Sequence, residues 1–344
     1  MNRVAVVLYG YGEVDDPTVP GAFERYNELS LRYLVTKSVP IPARLHPLMA
    51  RRLARRVAKE WADAGDFRSP HNAFFESQRA GIAAHLHESY GHDVGVYASH
   101  VFLDGMLPAQ VLAQVRADGF DAVLHYPLLV VDSVYTGGLA LEQVNESLDG
   151  DGWPHAKRYL PGFSRVEAYR DRLAERVDEV AGEFLGRYAA SQIGVVLVNH
   201  GCPMSGRGWE TGRQESEELY RAVYDRVVTR WPLTSVGWLN HPTPGKWTEP
   251  AAEVAARHLV ALGARVLVFV PIGFVTDNHE TILDVEAIGR GLRGATLHRA
   301  PALNDDPAFV EMAAQWAVPL IEQLRAATPR QAAEGSSAPA AASR

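Results

Sequence analysis

The sequence holds one cysteine in 344 residues, Cys202. That excludes a disulfide within the chain, and an iron–sulfur cluster held by several cysteines of this chain. No apolar stretch approaches the ~18 residues of a membrane-spanning helix, so no span is expected. The opening, MNRVAVVLYG, enters a strand-like apolar run too short for a signal-peptide core, which points to the cytoplasm. An excess of basic residues is missing too. The formal charge is −7, which gives no support to nucleic-acid binding, since phosphates demand clustered Lys and Arg. The one basic cluster, RRLARR at 51–56, reads as the solvated face of a helix.

What is present suits a globular protein: 47% hydrophobic and 22% charged residues, in a length that suggests two domains. Val4 to Leu8 reads as a buried strand running into the loop Tyr9-Gly10-Tyr11-Gly12. Helices are expected over 48–64 and 73–90, the latter with Phe74, Ile82 and Leu86 apolar, and strands over 94–98 and 122–127. Residues 163–188 have the clearest helical periodicity. The rhythm then restarts, with strands at 193–198, 235–238 and 265–270, helices at 214–230 and 250–262, and another from about 280. Alternating strands and helices predict an α/β fold with parallel sheets. The expected fold is two Rossmann-like domains with the active-site cleft between them. The expected boundaries are 1–160, 161–304 opening with the long helix, a helix over 305–327 packing back, and a disordered tail over 328–344.

Ligands in such sheets sit outside the carboxyl ends of the strands. The favoured loops therefore follow Leu8, Pro127, Val198 and Val270. After Val198 stands Asn199-His200-Gly201-Cys202-Pro203-Met204, and after Val270 stands PIGFVTDNHETILDVE, which packs Asp277, His279, Glu280, Asp284 and Glu286 together. His200 can act as a base or a metal ligand, having a free pKa near neutrality, or simply hydrogen-bond its loop. Glu280 and Asp284, at i and i+4, share a helix face, where acids also suit the helix dipole. Facing His and Glu across a cleft make a metal-and-proton site. Cys202 reads as a packed thiol.

These segments resemble the ferrochelatases. VLVFVPIGFVTDNHETILDVE is similar to their P-[IV]-[GA]-F-[VT]-[SA]-D-H-x-E signature, and NHGCPMS to their S-A-H-[SG]-x-P-M segment. Gly237-Trp238, Pro244, Trp247 and Pro250 follow the order of the family's G-W-Q-S…P-x-P-W-L-x-P. VVLYGYGE with Phe23-Glu24-Arg25-Tyr26, SPHNAFFESQRAGIAAHL and HYPLLVVDSVYTGGLALEQV resemble further family segments, collinear over about residues 4 to 326. The resemblance implies insertion of Fe²⁺, as substrate metal, into protoporphyrin IX or coproporphyrin III in haem synthesis, without an iron–sulfur cluster and as a monomer or weak dimer. It implies His200 and Glu280 as catalytic, His200, Glu280 and Asp284 as metal-binding, and Tyr9 near the metal. Phe74 and Trp238 are substrate-binding candidates; Arg25, Arg32 and Arg44 are candidates for propionates. Alternatives are a chelatase for another metal or tetrapyrrole, or a porphyrin- or haem-binding protein without turnover. Three departures stand out. Asn278 replaces the family's histidine and His279 stands beside it. Trp238-Leu239-Asn240 replaces W-Q-S, and Gly208-Trp209-Glu210-Thr211 replaces G-D-P-Y. A one-residue shift turns a side chain by about 100° or more, so His279 is not expected to substitute.

Overall fold

The computed structural model describes residues 2–327 apart from 149, 151, 205–209 and 242–244. The tail expected over 328–344, and the positions Pro244, Gly208 and Trp209, lie outside the described residues. The first domain carries β1 (Val4–Gly10), α1 (Ala22–Tyr33), α2 (His46–Asp63), α3 (His71–Tyr90), β2 (Val94–His100), α4 (Pro108–Ala117), β3 (Ala122–Pro127), α5 (Gly137–Ser147) and β4 (Ala156–Tyr159). Then follow α6 (Glu167–Gly182), β5 (Ile193–His200), α7 (Arg213–Val227), β6 (Leu233–Leu239), α8 (Ala252–Ala261), β7 (Val266–Pro271), α9 (Val285–Gly291), β8 (Thr296–Arg299) and α10 (Pro307–Ala326).

Both sheets are parallel and four-stranded, in the orders β2-β1-β3-β4 and β6-β5-β7-β8. In each, the direction of winding reverses between the two central strands, so the connections leave on opposite faces and open a crevice there. The crevices lie past the ends of β1 and β3, and past those of β5 and β7. The central strands read as continuous apolar runs because helices cover both faces; every residue of β1, β3 and β7 is buried.

One apolar cluster runs through both domains. Val4, Val6 and Leu8 of β1 belong to it, as do Val195, Leu197 and Val268, joined through Tyr126, Phe163, Tyr169 and Phe309. α10 closes the chain against α3, β1, β3 and β4, and the Tyr126 hydroxyl donates to the Ala313 carbonyl at 3.0 Å.

The helix expected over 163–188 is shorter, 167–182, preceded by a single 3₁₀ turn at Phe163–Arg165. The flanking aromatics Phe163, in the 3₁₀ turn, and Phe184, just past the end, are buried outside the α-helix. The periodicity reported burial there, not conformation. Within α3 the core aromatic is Phe75, 1% exposed, in line with Ile82 and Leu86. Phe74 is half-buried on the adjoining side.

Candidate metal centre

His200 is the last residue of β5, and Leu239, its partner across the ladder, is the last of β6. Two residues beyond Leu239 stands His241. From the end of β7 the chain passes through Gly273 and Phe274 to Glu280, which opens a π-helical turn, Glu280–Asp284. π turns occur mostly as short interruptions, frequently at functional sites. Three loops from neighbouring strands therefore deliver His200, His241 and Glu280 to one point.

The His200 and His241 Nε2 atoms are 3.0 Å apart. Glu280 Oε1 lies 3.5 Å from the first and 3.4 Å from the second. Nitrogen ligands at ~2.0–2.1 Å from a tetrahedral ion stand roughly 3.3 Å apart, so the triangle has the dimensions of one face of such a coordination shell. His200 Nδ1 is 2.7 Å from the Gly201 carbonyl oxygen. A carbonyl only accepts, so Nδ1 carries the hydrogen and the neutral ring offers its Nε2 lone pair to the centre. Glu280 is 7% exposed, whereas the His200 and His241 side chains keep 43% and 42% of their surface open. The acid forms the floor and the imidazoles form the rim.

Burial opposes the charge on Glu280. The protonated His200, its hydrogen bond, and then His241 and His279 outweigh it and hold the carboxyl well below its usual range. For His200, burial works against the proton but Glu280 raises the pKa above the ordinary imidazole value. For His241, burial and the nearby His200 prevail over Glu280, and its pKa falls. The centre thus sets a carboxylate beside one imidazole that keeps its proton readily and one that sheds it.

The approach is held by close backbone contacts. A Cβ at Gly273 would stand 2.6 Å from Asn199 Oδ1 and 3.3 Å from the His200 nitrogen. Gly273→Ala is expected to push the end of β5 outward. The expected cost is about 1–3 kcal/mol of stability together with weaker metal binding, read by urea denaturation and metal titration.

Asn278 and Thr281 cap each other at the start of the π turn. Asn278 N–H donates to Thr281 Oγ1 and Thr281 N–H to Asn278 Oδ1, both at 2.9 Å. The residue that stands in for a family histidine thus does local capping. His279 turns away from the triad and pairs through Nδ1 with Glu13, in the loop after β1. Burial disfavours its charge, but Glu13 carries its pKa up to about 10.

Other expected site residues are placed differently. Asp284 is half-buried and is not one of the three residues whose ligand atoms lie within 4.8 Å of one another, His200, His241 and Glu280. Burial and the Glu280 charge push its pKa up to about 6. The folded value lies above the ~3.9 of a free Asp, so the fold favours the protonated acid. That contribution is complete below about pH 4 and is lost as pH rises through about 6. Asp284→Asn is expected to raise stability at pH 7 by roughly 1–3 kcal/mol and to flatten its pH dependence between pH 4 and 6, measured by urea denaturation at several pH values.

Tyr9 is a correction. It is 1% exposed, and its hydroxyl meets His125 Nδ1 at 2.8 Å inside the first domain. Alternation along β1 sends it with Ala5 and Val7 into the core. The tyrosines that feel the Glu280 charge are Tyr11 and Tyr26: burial first, and then carboxylates including Glu280, raise both hydroxyls. Both rings pack on Phe102, Tyr11 stacked at 5.7 Å and Tyr26 edge-on at 5.4 Å. Trp238, 3% exposed, is turned by the same alternation to the face where Cys202 and Tyr220 pack. Arg25 pairs at the surface with Asp104 at 3.4 Å, and Arg32 with Glu146 at 3.6 Å.

His241 was not among the sequence candidates. Its signal was its place just past the strand beside His200, an outer strand that the ranking of loops passed over.

Residues 3–319 match the family model described as Ferrochelatase. A curated ferrochelatase of Geotalea daltonii is 25% identical over 328 residues, covering 91% of this chain and 97% of that protein. Another, from Gloeothece citriformis, is 23% identical over 337 residues, covering 92% and 82%. Among solved structures, SirB from Bacillus subtilis with Fe³⁺ superposes with a TM-score of 0.54 at 11% identity, over 94% of this chain and 98% of that one. That likeness speaks for the fold. With the family model spanning nearly its whole length, the chain belongs to the ferrochelatase family.

Proposed function

We propose that this protein inserts a divalent metal, ferrous iron in the first instance, into a porphyrin such as protoporphyrin IX or coproporphyrin III. It would act as a cytoplasmic enzyme at the last or near-last step of haem synthesis. The observation that carries the reading is the triangle of His200 Nε2, His241 Nε2 and Glu280 Oε1 at 3.0, 3.5 and 3.4 Å. Among the described residues no helix is long and apolar enough to cross a membrane.

Three protein ligands leave coordination positions open for an incoming donor. Imidazole nitrogen and carboxylate oxygen hold Fe²⁺ without the grip of thiolates, so the ion can be handed on. A free porphyrin loses two pyrrole protons as one M²⁺ enters. The two imidazoles that release the metal are the bases standing nearest to receive those protons, a positioned base contributing about 10²–10⁴-fold. Glu280 remains ionised throughout and steadies whichever imidazole becomes charged. The half-buried rings of Tyr11 and Tyr26, backed by the buried Phe102, offer flat apolar contact to a macrocycle.

The test is metallation followed by absorption. Protein is incubated with Fe²⁺, Co²⁺, Ni²⁺ or Zn²⁺ against protoporphyrin IX, coproporphyrin III and sirohydrochlorin. Turnover with a porphyrin and Fe²⁺, lost in His200→Ala, is the expected result. Turnover confined to sirohydrochlorin or to another metal would reassign the substrate, and stoichiometric porphyrin binding without turnover would make the protein a carrier.

A further inference from the structure

Glu13 reaches from the loop after β1 to the segment that carries Glu280. Both its carboxylate oxygens engage one residue. Oε2 accepts the His279 backbone N–H at 3.2 Å, and Oε1 pairs with His279 Nδ1. Ser69 Oγ also donates to Oε2. The Glu13 main chain is pinned as well: its N–H donates to Asn72 Oδ1 at 3.0 Å, and its carbonyl accepts from Asn72 Nδ2 at 2.7 Å. Glu13 is 6% exposed, so these charge-assisted bonds form with little competing water.

The neighbouring cross-domain contacts converge on the same stretch. His71 Nδ1 meets Thr276 Oγ1 at 2.7 Å. The Gln78 amide donates to the Val275 carbonyl at 3.1 Å and to that of Asn304 at 2.6 Å. The first domain therefore holds Val275, five residues before Glu280, through Gln78, Thr276 through His71, and His279 through Glu13. Glu280 follows directly, while His200 and His241 hang from β5 and β6 of the second. Two corners of the triangle belong to one body and the third is set from the other.

We propose that Glu13 is a positioning residue for the metal centre, fixing the Glu280 carboxylate against His200 and His241 from across the domain boundary by its grip on His279. The inference rests on the triangle being the metal site. It goes further in making the site's completeness depend on the register of the two domains. A contact serving only adhesion between domains would stabilise the protein without tuning the ion's coordination, and Gln78 supplies that comparison.

The experiment titrates Co²⁺ into the full-length protein and records its visible absorption, which reports coordination geometry, alongside thermal melting. Glu13→Gln keeps the size of the side chain but places an amide where two acceptor oxygens are needed. Loss of such an outer partner weakens metal binding about 10–100-fold. That loss, with an altered band, is expected for Glu13→Gln, and Glu13→Asp should recover part of it. Ser69→Ala, which removes one donor to the same carboxylate, should shift affinity in the same direction. Gln78→Met should lower the melting temperature and leave the Co²⁺ titration as in wild type. Wild-type titrations in both Glu13→Gln and Ser69→Ala overturn the inference. A Gln78→Met weakening equal to that of Glu13→Gln overturns it as well, and should Glu13→Gln not fold, Ser69→Ala against Gln78→Met decides. A wild-type protein that gives no Co²⁺ band overturns the metal site itself, a result distinct from binding that the variants share.

Discussion

Glu280→Gln is expected to abolish tight metal binding to the protein, and metallation with it. The side chain is nearly enclosed, yet its carboxyl is held ionised by the imidazoles around it. Glutamine keeps the volume and removes the charge, leaving two imidazoles with no anion to balance M²⁺. The variant also carries a signature that simple inactivation lacks. In the wild type Glu280 raises the His200 pKa. A raised imidazole pKa contributes stability that is complete below the unfolded value, ~6.5, and is lost as pH rises through the folded value. Without Glu280, burial and the His279 charge are opposed only by the Gly201 hydrogen bond, and His200 should titrate below its wild-type value by NMR. Co²⁺ affinity within threefold of wild type in Glu280→Gln would sink the assignment of this carboxylate.

Asp277→Ala should cost roughly 3–5 kcal/mol of stability, the usual result of removing one partner of a buried ion pair. Asp277 is 3% exposed. Its Oδ1 accepts from Arg299 Nη1 at 2.7 Å, Thr281 Oγ1 at 3.1 Å and the Ala302 N–H at 3.3 Å, and its Oδ2 from Asn304 Nδ2 at 2.8 Å. Alanine would leave a void where the Arg299 guanidinium, the Ala302 N–H and the Asn304 amide now find an acceptor, while Thr281 keeps the Asn278 carbonyl. Because this knot lies three residues before Glu280, metal binding should fall together with stability. Asp277→Asn, which keeps the shape but turns one acceptor into a donor, should fall between the two. Urea denaturation provides the measurement; a loss under about 1 kcal/mol, the scale of an ordinary neutral hydrogen bond, would show that the acid is dispensable to the loop.

Much of the fold was legible because buried parallel strands are written as apolar runs. IGVVLV and VLVFV appear as β5 and β7 almost to the residue. The edge strands β4, AKRY, and β8, TLHR, were not legible: one flank of each lacks a neighbour, so their residues are only partly buried and carry charges. α1 and α5 also went unread, α5 because it opens on Gly137-Gly138, which signal a turn when taken alone. His200 and Glu280 could be paired from equivalent positions at strand ends. The tyrosine could not be chosen, because Tyr9 and Tyr11 share the parity of β1. Only where the strand stops does one stay in the core while the other meets the field of Glu280.

By itself the sequence determined two doubly wound sheets, the order of their loops, and the two strand ends from which an imidazole and a carboxyl group emerge. Those follow from local periodicity and from a topological rule that places ligands at reversals of winding. The tertiary structure alone decided that His241 makes the third corner of the centre, that Asn278 caps a turn, and that His279 answers to Glu13, 266 positions away in the chain. Direction and partnership of side chains at loop ends depend on contacts between segments remote in sequence, and no spacing within either segment encodes them.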